Sequence, residues 1–167
     1  MKRSAFLVAA ALMAATLSPL SCRKADTPAT GTTESRGADG NRIVHMTGND
    51  QLQFNLKEIT ASPGEKLTVE LTNIGSMPKQ AMAHNLLLLQ SMPDADVNAF
   101  AMAATTRPPE YLPEDTSKVI AHTKMLGPKE KDSITFTVPA TPGNYPYICS
   151  FPGHFTLMRG ILVVRPN

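Results

Sequence analysis

Three side chains that bind soft metal ions lie close together near the end of the chain. Cys149, His154 and Met158 fall within ten residues in the pattern Cys-x4-His-x3-Met. Pro152 and Gly153, between the first two, predict a tight turn. A thiolate, an imidazole and a thioether suit copper that alternates between Cu(I) and Cu(II). Zinc would instead recruit a second thiolate or a carboxylate. The pattern therefore predicts a site for one copper ion.

A second imidazole has to come from elsewhere in the chain. A trigonal copper site uses two imidazoles, one thiolate and a weak thioether. His84 stands just ahead of the apolar run at 86–89, which predicts a strand buried on both faces. Each of these residues alone would more often fill a core or sit in a surface turn. Together they predict that two distant parts of the chain converge on one ion.

The elements that must position these residues are mainly strands. Apolar and polar residues alternate with period two at 52–56, 67–71 and 133–138, and a short apolar stretch follows at 161–164. Turns are predicted at 62–65 and 141–144, where Pro and Gly occur together. This pattern predicts an all-β fold, an antiparallel sandwich of two sheets. The exception is 94–106, rich in Ala and Met, which predicts a short helix before a Pro-rich loop that extends to 115.

Five stretches of the chain resemble the cupredoxins of the azurin and auracyanin type, which are small blue copper proteins. They are 48–55 (Gly-Asn-Asp-Gln-Leu-Gln-Phe-Asn), 82–85 (Met-Ala-His-Asn), 119–124, 130–133 and the ligand loop at 149–158. The resemblance covers about 43–165. It implies a cupredoxin-like Greek-key β-sandwich of two sheets, with a helical flap at 94–115 outside it.

The resemblance also implies a role for each residue of the site. His84, Cys149 and His154 would be the strong ligands of one type 1 copper ion and Met158 the axial one. The carbonyl of Ala83 is the candidate for a weak fifth contact, although azurins carry Gly there.

Three more residues are implied to support the site. Asn85 would tie the first-ligand segment to the ligand loop near Ser150. The backbone N–H groups of Asn85 and Phe151 would donate to the sulfur of Cys149. The chain departs from azurins in having no Trp. It also lacks their disulfide, because Cys22 is the only other cysteine.

A route for electrons is predicted at His154, which follows Pro-Gly in a turn and should expose its ring edge. The surrounding residues are apolar rather than charged, and a small apolar patch suits redox partners that dock briefly. We therefore expect redox proteins to dock at this patch, which comprises Met77, Pro78, Ala81, Met82, Phe151, Pro152 and Gly153.

The first part of the chain predicts export. Residues 1–21 have a basic start and a short apolar run, too short to span a membrane, as in a secretory signal peptide. The run ends at Cys22, which resembles the lipidated cysteine of bacterial lipoproteins; ordinary cleavage nearby would instead leave a soluble protein with a free thiol. Residues 22–41 predict a flexible tether, and 42–167 the cupredoxin domain. We expect a periplasmic protein anchored to a membrane through lipid on Cys22.

Charge argues against a nucleic-acid partner. The chain has 16 Lys and Arg against 14 Asp and Glu, and the signal peptide holds two of the basic residues. Removing it leaves 14 of each sign, so the mature chain is formally neutral. Proteins that bind nucleic acid are usually basic.

Three other functions are compatible with parts of the pattern. A copper enzyme would need further His ligands, but four His minus the two at this site leaves only two. A copper chaperone or buffer would expose its ligands, whereas Tyr147, Ile148 and Phe151 should bury the thiolate. A metal-free adhesive sandwich would make the ligand spacing a coincidence. The pattern favours electron transfer, and a copper chaperone is the alternative.

Overall fold

The computed structural model describes residues 33–166 as a sandwich of two five-stranded sheets. The predicted signal peptide and Cys22 lie outside these residues. The first sheet has the order β1-β2-β5-β8, with β3 also paired to β2, and the second has the order β4-β10-β9-β6-β7. The strands are β1 (Glu34–Arg36), β2 (Arg42–Asn49), β3 (Gln53–Phe54), β4 (Glu58–Ala61), β5 (Lys66–Asn73), β6 (Leu87–Leu89), β7 (Val119–His122), β8 (Lys131–Thr137), β9 (Gly143–Ile148) and β10 (Arg159–Val164).

Both sheets are mixed, so the prediction of an antiparallel sandwich was wrong in this respect. β2 runs parallel to β5, with Val44 opposite Val69. β4 runs parallel to β10, with Ile59 opposite Leu162. A period-two pattern shows which face of a strand is buried, but it does not show the direction of the neighbouring strand. The β-sandwich itself is confirmed.

The core lies between the sheets and is built from the alternating strands. Leu67, Val69 and Leu71 of β5 are at most 2% exposed, while the residues between them are only half-buried. Burying a side chain of this size contributes about 1.5–3 kcal/mol. The alternation read from the sequence at 67–71 therefore marks the inner face of the first sheet correctly.

Two helices accompany the strands. α1 (Lys79–Met82) is a single turn just before His84, which the sequence pattern did not predict. α2 (Asp94–Thr105) confirms the predicted helix. Val97 and Ala101 of α2 pack on Leu87 and Leu89, so α2 covers the outer face of β6. This explains why every residue of β6 is buried.

The end of the predicted tether is part of the fold. β1 pairs antiparallel with β2, and Ser35 lies opposite Ile43. This corrects the expectation of a flexible segment for that part of 22–41. The residues of β1 are exposed. The low apolar content of 22–41 therefore predicted that β1 is not buried, but it did not predict that its backbone pairs with β2. Neither helix of residues 33–166 has the length and apolar character needed to cross a bilayer.

Candidate metal centre

His84, Cys149 and His154 converge in the interior of the sandwich. The sulfur of Cys149 lies 4.0 Å from Nδ1 of His84 and 3.6 Å from Nδ1 of His154. Their potential ligand atoms all lie within 4.8 Å of one another, and the three residues are at most 4% exposed. The distances leave room for one ion between the three side chains, and a thiolate with two imidazoles matches copper.

The ligand loop, residues 149–158, is closed by its own backbone. The N–H of Cys149 donates to the carbonyl of Met158 at 2.9 Å, where β9 and β10 begin to pair. Within the loop, the N–H of His154 donates to the carbonyl of Phe151 at 3.0 Å. Gly153 has a φ of +80°, a conformation that glycine adopts without strain. The turn therefore holds Cys149 and His154 on the same side of the loop.

The segment that carries His84 is fixed by contacts that sequence reasoning missed. His84 and Leu126 exchange both backbone hydrogen bonds, at 3.0 and 2.7 Å. The side-chain amide of Asn73 donates to the carbonyl of Leu126, and the hydroxyl of Thr123 accepts from the N–H of Leu86. Asn73 and Thr123 are both 1% exposed. The available sequence signal for Asn73 was a polar residue in the inward register of Leu67, Val69 and Leu71.

Asn85 bridges the His84 segment and the ligand loop. Its Nδ2 donates to the hydroxyl of Ser150 at 2.9 Å, and its Oδ1 accepts from the N–H of Ser150 at 2.9 Å. Both residues are almost fully buried. Because water cannot replace these hydrogen bonds, the bridge fixes the separation of the two segments.

Burial dominates the protonation of the three candidate ligands. It raises the pKa of the Cys149 thiol to about 12, against a smaller downward effect of the backbone N–H groups of Asn85 and Phe151. It lowers the pKa of His154 to about 4, with the nearby His84 as the second cause. The pKa of His84 is also lowered, mainly by burial. Both imidazoles are therefore neutral and able to bind, whereas the thiol has to lose its proton on binding a metal ion.

Met158 and Ala83 lie beside this cluster. Met158 is fully buried, and its methyl group and the ring of His84 both border Gly48 of β2. Ala83 is 1% exposed and ends α1 in an extended conformation directly before His84. Gly48 was not predicted as a site residue. A glycine inside a strand signals close approach of another group.

Known proteins support the assignment of a copper site. Residues 42–165 match the model of the family described as copper binding proteins, plastocyanin/azurin family. The chain belongs to the plastocyanin/azurin family.

Its relatives include azurins from two genera. Azurin from Pseudomonas chlororaphis is 45% identical over 125 residues, covering 73% of this chain and 97% of that protein. Azurin-1 from Alcaligenes xylosoxydans xylosoxydans is 43% identical over 122 residues, covering 71% and 94%. Among solved structures, auracyanin A, a "blue" copper protein from Chloroflexus aurantiacus, is 33% identical with a TM-score of 0.68. That match covers 74% of this chain and 98% of auracyanin A. As a member of this family, the protein binds copper.

The surface next to this plastocyanin/azurin site differs partly from expectation. Met77 is 41% exposed and Met82 is half-buried, and Pro152 and Gly153 are exposed. Phe151, however, is only 8% exposed. His154 is only 4% exposed, because Phe151 packs on its ring with centroids 4.6 Å apart. His154 is therefore buried, which corrects the prediction that its ring edge is exposed at the surface.

The other two histidines lie apart from the site. His45 is half-buried in β2, where its ring contacts Ser35 and Glu70. His122 is exposed at the end of β7. Within residues 33–166, the only group of three or more His, Cys or acidic residues that could hold a metal ion is His84, Cys149 and His154.

Proposed function

We propose that this protein carries single electrons between redox partners through one type 1 copper ion. His84, Cys149 and His154 would hold the ion most strongly, Met158 would bind it weakly through its thioether, and the Ala83 carbonyl would be a further weak contact. The observation that carries the proposal is the convergence of two imidazoles and one thiol in a buried site of a plastocyanin/azurin family member. Bound copper supplies a one-electron Cu(I)/Cu(II) couple.

The contribution of the protein is to hold the ligands still and to exclude water. The backbone pairs of His84 with Leu126 and of Cys149 with Met158 fix the ligand-bearing segments through hydrogen bonds within the protein. The Asn85–Ser150 bridge joins them. A site that is preformed in this way rearranges little when its charge changes, which favours fast electron transfer. The N–H groups of Asn85 and Phe151 stabilise negative charge on the sulfur of Cys149 and so tune the potential.

Electrons leave through His154 and the apolar patch around it. Met77 and Pro152 are exposed and Met82 is half-buried, and these residues form the surface next to the buried Phe151 and His154. A small apolar surface supports docking that is weak and brief. Partners are therefore redox proteins with a matching apolar surface, and the protein acts as a carrier rather than an enzyme.

Copper delivery is less compatible with this geometry. A chaperone has to surrender its ion to a partner, which requires ligands that the partner can reach. Cys149 is 0% exposed and belongs to the same buried cluster as Phe151 and Met158. Burial of the thiolate favours retention of the ion.

The protein is also proposed to be exported and anchored through lipid on Cys22. The proposal rests on the basic start, the short apolar run and the position of the cysteine in the first 22 residues. It places the cupredoxin domain, 42–167, in the periplasm near a membrane.

The chain offers a matched pair of variants that tests both proposals. Cys149→Ser should abolish the intense blue colour of the oxidised, copper-loaded protein while its circular dichroism stays that of a β-sandwich. Cys22→Ser should keep the colour but move the protein from the membrane fraction to the soluble fraction. Its mass spectrum should show no added lipid. An unchanged spectrum in Cys149→Ser would refute the thiolate ligand. A wild-type protein whose Cys22 carries no lipid mass would refute the lipid anchor.

The docking patch is tested by a second matched pair. Met77→Lys places a charge in the patch and should slow electron self-exchange between two copies of the protein, measured by nuclear magnetic resonance line broadening. Met102→Lys places the same charge on α2, where Met102 is 60% exposed, and should change the rate less. Equal rates in both variants would contradict docking at the patch.

A further inference from the structure

Gly48 has no space for a side chain, and the groups that occupy this space belong to the copper site. A methyl group at this position would lie 2.6 Å from the methyl carbon of Met158 and 3.1 Å from Cδ2 of His84. Gly48 is on the buried face of β2, whereas its neighbour Thr47 is half-exposed on the other face. The backbone of Gly48 has an ordinary negative φ, since Gly48 is not among the residues with positive φ. Space, and not backbone freedom, is therefore the reason for glycine here.

The strand and the histidine in this contact are fixed, whereas the thioether is not. The carbonyl of Gly48 accepts from the N–H of Ile74 at 2.8 Å, and β2 is held between β3 and β5 at this point. His84 is held by its two backbone hydrogen bonds with Leu126. The methyl group of Met158, by contrast, is the end of a flexible side chain. An added methyl at position 48 would therefore displace the thioether of Met158 before it moved the strand or the histidine.

We propose that Gly48 is a positioning residue that sets the place of the Met158 thioether relative to His84. The inference rests on the proposed function, because it assigns Gly48 a role in placing Met158, which would be a ligand of the copper ion. Gly48 itself contacts no metal ion and acts only through Met158. Glycine lets the thioether lie against β2, and any larger residue would force it into another rotamer.

The test is Gly48→Ala in the copper-loaded full chain, with Thr47→Ala as the control on the opposite face of the same strand. We expect Gly48→Ala to shift the reduction potential in voltammetry and to change the electron paramagnetic resonance spectrum. Thr47→Ala should leave both as in the wild type. If Gly48→Ala is indistinguishable from Thr47→Ala, the proposal is overturned.

A double-mutant cycle shows whether the effect passes through Met158. In a Met158→Ala background the thioether methyl group that the introduced alanine side chain would contact is missing, so Gly48→Ala should lose most of its effect on the potential. A shift of the same size in that background would mean that His84 or the strand carries the effect, and the proposal would fail.

A measurement without copper keeps the inference testable if a variant folds poorly. In the copper-free wild type with labelled methionine methyl groups, the Met158 methyl should show a nuclear Overhauser contact with the Hα atoms of Gly48. Absence of this contact overturns the proposal. The proposed function fails separately, if the copper-loaded wild type is not blue.

Discussion

Replacing Asn85 with Leu should destabilise the copper-free protein strongly. Leu has a similar size but no hydrogen-bonding groups, so the substitution leaves little cavity and removes the bridge to Ser150. The N–H and the hydroxyl of Ser150 then lose their partner in a site where Ser150 is 0% exposed. An unsatisfied buried polar group costs about 1–3 kcal/mol. Two such groups give a loss of about 2–6 kcal/mol in the free energy of unfolding.

The assay is unfolding in guanidinium chloride, followed by circular dichroism. With a slope of about 4 kcal/mol per molar denaturant, the midpoint should fall by about 0.5–1.5 M. Ser150→Ala is the matched control. It keeps the hydrogen bond from the backbone N–H of residue 150 to Asn85 and leaves only Nδ2 of Asn85 unpaired, so it should cost about 1–3 kcal/mol. A midpoint for Asn85→Leu within about 0.2 M of the wild type, at an unchanged slope, would refute this reasoning.

Three further predictions concern the site and its scaffold. Met158→Leu should retain copper and raise the reduction potential in voltammetry, because a weak electron donor is lost; complete loss of copper would show that the axial bond is not weak. Gly160→Ala should lower the free energy of unfolding by about 1–3 kcal/mol, because a methyl group there would overlap the ring and hydroxyl of Tyr147. That hydroxyl donates to the carbonyl of Leu56 at 3.0 Å. A thermal unfolding midpoint equal to that of the wild type would contradict this prediction. Free copper at about 100 times its dissociation constant should raise the free energy of unfolding of the wild type by about 2.7 kcal/mol. In the same calorimetric scan, copper should stabilise Cys149→Ser clearly less.

The ligand loop and the main strands could be predicted because their signals are local. The spacing of Cys149, His154 and Met158 lies within one turn between two strands, and the alternation at 67–71 and 133–138 marks one buried face in each strand. α2 was predictable for the same reason, because Ala and Met have high intrinsic helix propensity.

The remaining features depend on contacts between distant residues. The parallel pairing of β2 with β5 leaves no mark in either strand, because both directions of pairing have the same period. His154 was expected at the surface because it follows Pro-Gly, but the ring of Phe151 covers it. Gly48 and Asn73 each break the pattern of their strand, but the groups that lie against them can be identified only when the sheets are assembled.

The strand β1 changes where the chain enters the domain. The carbonyl of Thr33 accepts from the N–H of His45, so the polypeptide joins the sandwich halfway along an edge of the first sheet. Only the residues from Cys22 to Thr33 could then link a lipid to the domain. If they were fully extended, they would span about 38 Å. A lipid on Cys22 would thus confine the electron carrier to a thin layer above the bilayer. Encounters with membrane-bound oxidants and reductants would then resemble a search in two dimensions.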